Sequence, residues 1–352
     1  MKARIVIGAN YGDEGKGTVV ANYTKNSENI LNVLTNGGAQ RGHSILTKDG
    51  NITNQHFGSG TYFGADSYYS RFFILNPMQF VKEYDMLIVK PKNIYRDSSC
   101  MWSTPYDSIV NLIEQQRKGN HASCCMGIWN TIKRYRDLSN IPTFDDFVNN
   151  YKISFLSKVK AYYDRIIDIP EKWKDIWNSL QLQLHFMNDC KQMQELTTVC
   201  DLSSLLYNEL IFENGQGLLL CDTGKDTYDT TPSQTGIIDS LILLKDLDVD
   251  DITAHYVTRP YLTRHGDGFI NELNRNDISS TILEDRTNHY NEFQGNFRYG
   301  KLNISDLKDR IINDCQGIKF ELELTHCDEM DRVDEFTNIF DKVNIYDNPL
   351  II

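Results

Sequence analysis

The chain holds eight cysteines and eight histidines but no Cys-x-x-Cys pair, and none of these residues has the ligand spacing of a structural zinc site. The thiols are expected to be reduced, as in a cytoplasmic protein. No apolar run approaches the ~20 residues of a membrane span, and no charged-then-apolar leader opens the chain, so neither anchoring nor export is expected. Positive charge is in short supply. With 36 Lys and Arg against 48 Asp and Glu the net charge is −12, which argues against a surface that tracks a polynucleotide by counterion release. That balance says nothing against a mononucleotide held in a local pocket. Proline is sparse as well, with 8 in 352 residues. No Pro/Gly/Ser linker, repeat or low-complexity tract divides the chain, so residues 1–352 are expected to form a single domain.

What is present is a series of short, β-branched apolar runs. The first, Arg4 to Ile7, is continuous, as a strand buried on both faces would be, and Gly8 ends it. Others fall at 31–35, 72–75, 86–89, 210–212, 252–257, 318–324 and 343–345, separated by helical stretches such as 236–247 and 304–313. This alternation predicts an α/β fold with a mostly parallel central sheet flanked by helices. From about 105 to 209 the pattern turns almost wholly helical, with aromatics at three-to-four spacing, and predicts a helical subdomain inserted in the middle and packed on one side of the sheet.

After the first strand comes Gly8-Ala-Asn-Tyr-Gly-Asp-Glu-Gly-Lys-Gly-Thr18. A Walker loop would place Asn10 where its first glycine belongs and Gly17 where its hydroxyl belongs, so the match is partial. The dinucleotide fingerprint fails too, because Gly12 and Gly15 have no third partner in register. What remains is a strand, a turn with Gly12, Gly15 and Gly17, and a helix starting near Lys16 whose free N–H groups attract an anion, with Lys16 adding a point charge. Taken alone, an equally good reading is a tight turn in which Asp13 and Glu14 only cap the helix. A second glycine cluster, Asn36 to Ser44 (NGGAQRGHS), follows the second predicted strand and surrounds His43. Both clusters lie just beyond strand ends, where open α/β sheets bind ligands.

Together these stretches resemble the adenylosuccinate synthetase family, whose hallmarks are Q-W-G-D-E-G-K-G and G-G-x-N-A-G-H-T. In the same order, Phe212 to Gly217 (FENGQG) is similar to F-E-G-A-Q-G, Arg259 to Gly268 (RPYLTRHGDG) to K-A-Y-T-T-R-V-G-x-G, Tyr299 to Leu302 (YGKL) to T-G-W-L, and Leu324 to Asp328 (LTHCD) to L-T-K-L-D. The resemblance implies a P-loop-NTPase-like fold and a C–N ligase. Such an enzyme phosphorylates O6 of a purine nucleotide with a nucleoside triphosphate and then displaces the phosphate with the amino group of L-aspartate.

By the same resemblance Asp13 takes the N1 proton and ligates magnesium, with the Gly42 carbonyl completing the metal shell. His43 stabilises charge on O6 and assists phosphate departure, a general-acid role. Lys16 and Gln216 complete the catalytic set, Gln216 by bonding the purine and positioning Asp13. The triphosphate would lie against Gly12, Glu14, Gly15, Lys16, Gly17, Thr18, Gly42, His43 and Ser44, with its base near His326 and Asp328. The purine nucleotide falls to Gln40, Gln216, Thr231, Asn296 and a phosphate cradle at Ser123 and Cys124. An arginine borrowed from a neighbouring subunit, Arg134 or Arg136, would complete that cradle and make the active unit a homodimer. Aspartate falls to Gln294, Gly295, Asn296 and Arg298, the last able to clamp a carboxylate through two parallel hydrogen bonds.

The chain also departs from the pattern. Gln40 and Arg41 replace Asn-Ala, Asn296 replaces an arginine, His326 replaces a lysine, and a guanine-wrapping S-T-G-P-D-R-x-E-T segment is not found. ATP or dATP is then as acceptable a donor as GTP. These departures are similar to the phage-borne branch of the family, which acts on dGMP and makes the succinyl precursor of 2-aminoadenine. Three readings follow: a ligase on dGMP, a conventional enzyme on IMP, and a purine-nucleotide-binding protein without turnover. Retention of Asp13, Lys16, His43 and Gln216 together speaks against the third.

Overall fold

The computed structural model describes residues 1–47, 50–118, 123–221, 230–271, 295, 297–330 and 332–347. Nine strands form one sheet: β1 (Lys2–Gly8), β2 (Ile30–Leu34), β3 (Asp66–Tyr69), β4 (Ile94–Arg96), β5 (Thr198–Val199), β6 (Glu209–Gly217), β7 (Asp251–Thr258), β8 (Phe320–Leu324) and β9 (Val343–Ile345). Their order is β9-β8-β7-β1-β6-β2-β3-β4-β5, and every adjacent pair is parallel. The order reverses around β1, whose neighbours are β6 and β7, so the loops leaving these strands open a crevice at the carboxyl edge of the sheet.

Why the central strands read as continuous apolar runs is visible in β1. Ile5 and Ile7 pack into a cluster with Leu31, Val33, Phe212 and Tyr256. The intervening Val6 joins Val19, Val20, Ile211 and Val257 on the opposite face. Helix α1 (Lys16–Lys25) supplies Val19 and Val20 to that second face. Each fully buried aliphatic side chain contributes roughly 1.5–3 kcal/mol, so both faces of β1 fix its register. One polar network interrupts this face: the carboxylate of Glu323 on β8 accepts from the Tyr23 hydroxyl (2.9 Å) and the Tyr346 hydroxyl (2.8 Å) and lies 2.7 Å from Nδ1 of His255.

Helix α2 (Pro77–Met86) precedes β4. Between β4 and β6 the chain is mainly helical, as expected, apart from short extended pieces at Met101–Trp102 and β5; its main helices are α3 (Pro105–Lys118), α4 (Ile128–Asp137), α5 (Lys152–Ile166), α6 (Glu171–Trp177) and α7 (Leu180–Leu196). Their core, with Trp102, Tyr106, Phe147, Phe155, Tyr163, Trp177 and Phe186, is continuous with Leu34 and Tyr69 at the sheet. After the sheet strand β6 come α8 (Ile238–Leu244) and α9 (Ile304–Asp314). Two strand expectations are corrected. Residues 86–89 do not form a strand: Met86 ends α2 and the run is solvent-facing, with Met86 73% and Ile88 61% exposed. In 72–75 only Ile74–Leu75 is extended, pairing with Met101–Trp102. A hairpin, His43–Thr47 with Gly50–Asn54, begins at the end of the second glycine cluster.

His56, just after this hairpin, is fully buried among Tyr69, Phe73 and Phe80, and its Nε2 accepts the Asn76 N–H at 3.0 Å. Burial, aided by the nearby Arg41 charge, pulls its pKa down to about 3. The folded pKa therefore lies below the unfolded one, near 6.5. Stability from this group is complete above pH 6.5 and is lost as the pH falls toward the folded value. At pH 5 the loss is about 2 kcal/mol. Thermal melts should show a Tm drop between pH 7 and pH 5 that is smaller in His56→Gln, which keeps an acceptor for Asn76. An equal drop in both proteins would contradict this account.

Candidate active site

The site is built from loops that leave β1, β2, β6, β7 and β8 at one edge of the sheet. Gly15, in the left-handed region at φ 92°, precedes α1 and no side chain caps the helix. Asp13 and Glu14 are thus not caps, and each does something else. Glu14 turns inward and is buried, its carboxylate accepting the N–H groups of Asn10 (3.0 Å) and Gly12 (2.7 Å) and lying 3.3 Å from Lys16 Nζ. It fills the hollow of its own loop. Lys16 is also buried and donates to the Gly12 carbonyl at 2.7 Å. An internal carboxylate so placed neutralises Lys16 and saturates N–H groups that a Walker loop would offer to phosphate.

Asp13 faces the other way. Its Oδ2 lies 3.1 Å from Nδ1 of His265, and its backbone carbonyl accepts from Arg259 Nε (2.8 Å) and Thr263 Oγ1 (3.5 Å). Burial acts to raise its pKa, but His265, Arg259 and Lys16 outweigh burial and hold the carboxyl below its usual range. The group is an ionised carboxylate. Gly12 shows why glycine is needed here: its φ is 107°, and a Cβ would stand 3.0 Å from the backbone of Gln216, so the two loops touch. Gln216 itself adopts φ 58° at the end of β6, a conformation disfavoured for a side-chain-bearing residue.

His43 begins the hairpin and is buried. Its Nδ1 meets the buried carboxylate of Glu213 on β6, which also accepts from Ser59 N–H (2.9 Å) and Ser59 Oγ (2.6 Å). Arg41 lies behind them, with Nη2 3.7 Å from Glu213 and 3.1 Å from His43 Nδ1. Burial would raise the Glu213 pKa, yet His43, Arg41 and Ser59 bring it down to about 2. With Glu213 ionised, the His43 Nδ1–H donates to it. Burial and Arg41 pull His43 down to about 4 despite Glu213, so its imidazole is neutral at pH 7 before anionic ligands arrive. Gly17 is equally constrained, since a Cβ would stand 2.6 Å from the Ser44 carbonyl.

A cleft runs beside these loops, lined by Gln40, Ser123, Cys124, Gln216, Thr231 and His265 among others. The polar side-chain atoms of Gln40 and Oε1 of Gln216 are buried without a partner. Ser123 accepts the Cys125 N–H (3.2 Å) and donates to Asn111 Oδ1 (3.1 Å), tying the cradle to α3. Burial pushes the Cys124 thiol up to about 11, so no thiolate repels an anion there. Thr18 opens onto the first turn of α1, Ser44 bonds Thr53 Oγ1 at 2.7 Å, and Gly42 is exposed. His326, buried at φ 58°, lies 2.9 Å from Thr325 Oγ1 and flanks Gly15, while Asp328 is exposed.

The adenylosuccinate synthetase family profile matches residues 5–339. The chain belongs to the adenylosuccinate synthetase family. Adenylosuccinate synthetase from Halothermothrix orenii is 27% identical over 339 residues, covering 88% of this chain and 74% of that one. Its counterpart from Finegoldia magna is 26% identical over 324 residues, covering 88% and 75%. Among solved structures, fully ligated adenylosuccinate synthetase from Plasmodium falciparum superposes with a TM-score of 0.65 at 21% identity, over 93% of this chain and 77% of that one. Cyanophage S-2L succinoaminodeoxyadenylate synthetase (PurZ), bound to dGMP and to dATP as an energy donor, superposes with a TM-score of 0.68 at 13% identity, over 99% and 93%. The protein is a C–N ligase of this family, with its α/β fold around a parallel sheet.

The two candidate arginines for the phosphate cradle differ in their surroundings. Arg134 is fully buried, with Nε 2.9 Å from Asp107 Oδ1 and Nη2 donating to the Trp102 carbonyl at 2.8 Å. Of the two candidates only Arg136 is exposed. On the aspartate side, Arg298 donates to the carbonyls of Gly266 and Gly268 and so braces the loop after β7. Gly295 is buried at φ 70°, and Gln294 and Asn296 lie outside the described residues. Three participants were not singled out in the sequence: Glu213 as the partner of His43, Arg259, and His265. The first is visible only once β6 and the hairpin are adjacent.

Proposed function

We propose that this ligase joins L-aspartate to C6 of a purine nucleoside monophosphate, with dGMP ahead of IMP. The observation that carries the reading is the ionised Asp13, bonded to His265 of the cleft lining, together with the unpartnered Oε1 of Gln216 and side-chain amide of Gln40 in the same lining. Asp13 takes the N1 proton and the purine O6 attacks the terminal phosphoryl group of the triphosphate, releasing the diphosphate. The aspartate amine then attacks C6, loses a proton, and phosphate departs with the O6 oxygen. Glu213 orients His43 toward the reacting oxygen, and Lys16 with the amino end of α1 favours the transferred negative charge. Asp13 and the carbonyl of exposed Gly42 are hard oxygen donors of the kind magnesium takes, and the bound ion would screen the triphosphate charge.

Two amide oxygens, of Gln40 and Gln216, stand buried without a partner. An exocyclic 2-amino group is a donor that such acceptors suit, which favours guanine over hypoxanthine. The S-2L relative, similar in fold, binds dGMP and dATP, and the same pair is proposed here, with ATP or GTP as further donors to compare. The subunit arginine Arg136 and the aspartate-binding Arg298 belong to this proposal, as does the homodimer. The test is aspartate-dependent phosphate release with product mass analysis, pairing dGMP or IMP with ATP, dATP or GTP. Succinylated dGMP formed at least tenfold faster than the IMP product is expected. Faster turnover of IMP would favour the conventional reading, and monophosphate binding with no product from any pair would favour a non-catalytic protein.

A further inference from the structure

We infer that His265 is a positioning residue that fixes the carboxylate of Asp13 for its work on the purine; the inference rests on the reaction just proposed. Among the described residues, three hydrogen-bond contacts hold Asp13, and all come from the segment that follows β7. Arg259 Nε and Thr263 Oγ1 grip its backbone carbonyl, and His265 Nδ1 lies 3.1 Å from its Oδ2. A carboxylate only accepts, so the ring nitrogen is the donor. The backbone grips set where Asp13 is, but they leave its side-chain torsions open. The His265 contact engages Oδ2 and leaves Oδ1 as the oxygen for a second partner.

His265 is itself restrained. Its ring packs on Phe297 with centroids 4.6 Å apart at 45°, and the residue lines the purine cleft together with Gln40 and Gln216. The family pattern matched by Arg259 to Gly268 has valine at this position, a side chain that donates nothing. This chain therefore adds a donor where the pattern has an apolar residue, and the donor is aimed at the base. A reacting group displaced by an ångström can cost about 100-fold in rate, so the restraint is worth having when Asp13 must meet a ring N–H.

The test compares His265→Val, His265→Asn and His265→Gln. Asparagine places its amide nitrogen close to the position of Nδ1, whereas glutamine places it closer to Nε2. In His265→Val, kcat should fall about 10- to 100-fold while the dissociation constant for the purine monophosphate stays within about threefold. His265→Asn should recover to within about fivefold of wild type, and His265→Gln should not. In an Asp13→Asn background, His265→Val should cost less than about twofold more, because the group it positions is already gone. A crystal structure of unliganded His265→Val should show the Asp13 carboxylate displaced, and one of His265→Asn should show it retained. Turnover of His265→Val within twofold of wild type, equal rates for the Asn and Gln variants, or an unmoved Asp13 carboxylate would overturn the assignment. If wild type forms no succinyl product with any purine monophosphate, the proposed reaction fails, and the two crystal structures alone decide the role of His265.

Discussion

Asp13→Asn is expected to lower kcat by ~10²–10⁴, the range typical of a positioned proton acceptor, with the purine monophosphate still bound within a few-fold of wild type. The substitution is nearly isosteric. The amide oxygen still accepts from His265, and the backbone carbonyl of residue 13 keeps its bonds to Arg259 and Thr263, so the loop has no reason to move. What disappears is negative charge and basicity at a carboxylate that His265, Arg259 and Lys16 hold ionised against burial. Phosphate release and calorimetric binding measured on the same preparation separate the two effects. A variant that turns over within tenfold of wild type would remove Asp13 from the base role, and one that loses nucleotide binding in step with rate would make it a binding residue only.

The two neighbouring acids of the opening turn divide the work in a way that sequence alone left open. Their spacing allowed both to cap α1, yet neither does. Glu14 satisfies Asn10 and Gly12 N–H groups from inside the loop, so an anion bound at this turn must sit outside it, near Lys16 and the start of the helix. This is why a carboxylate and a phosphate-binding turn coexist: one acid is internal and matched to Lys16, the other is external and matched to His265 and Arg259.

The most legible parts of the fold are the central strands buried on both faces. The runs at 4–7, 31–35 and 210–212 fall on or largely on β1, β2 and β6, because two covered faces demand apolar side chains at nearly every position. The runs at 252–257, 318–324 and 343–345 also overlap strands of the sheet, although β9 lies at its edge with Ile345 51% exposed. β3, β4 and β5 were not legible. They are two to four residues long, DSYY, IYR and TV, too short to show an apolar period, and β3 begins with two polar residues even though all four of its residues are buried. The run at 86–89 misled for the opposite reason: it is apolar yet pairs with no strand and faces solvent. Within the site, glycine clusters announced the loops after β1 and β2, since positive φ and close backbone approach leave a mark in sequence. Partnerships across the sheet, such as Glu213 with His43 over 170 residues, leave none.

That last partnership carries the second large effect. His43→Ala should lower kcat by ~10²–10⁴, and Glu213→Asp should lower it by a substantial fraction of that amount. Aspartate keeps the charge opposite Arg41 but is one methylene shorter, so it withdraws from the His43 ring. The comparison with Glu213→Gln separates orientation from charge. Losing the carboxylate leaves Arg41 buried beside a neutral amide, and removing one partner of a buried pair costs roughly 3–5 kcal/mol, so Glu213→Gln should melt well below wild type whereas Glu213→Asp should not. Because Glu213 touches the chemistry only through His43, the rate effects should not add: in a His43→Ala background, Glu213→Asp should cost less than about twofold more, giving a large coupling energy in a double-mutant cycle. Full additivity would mean that Glu213 acts on the reaction by another route, through Ser59 or through the loop it anchors, and that the imidazole is oriented by something other than this carboxylate.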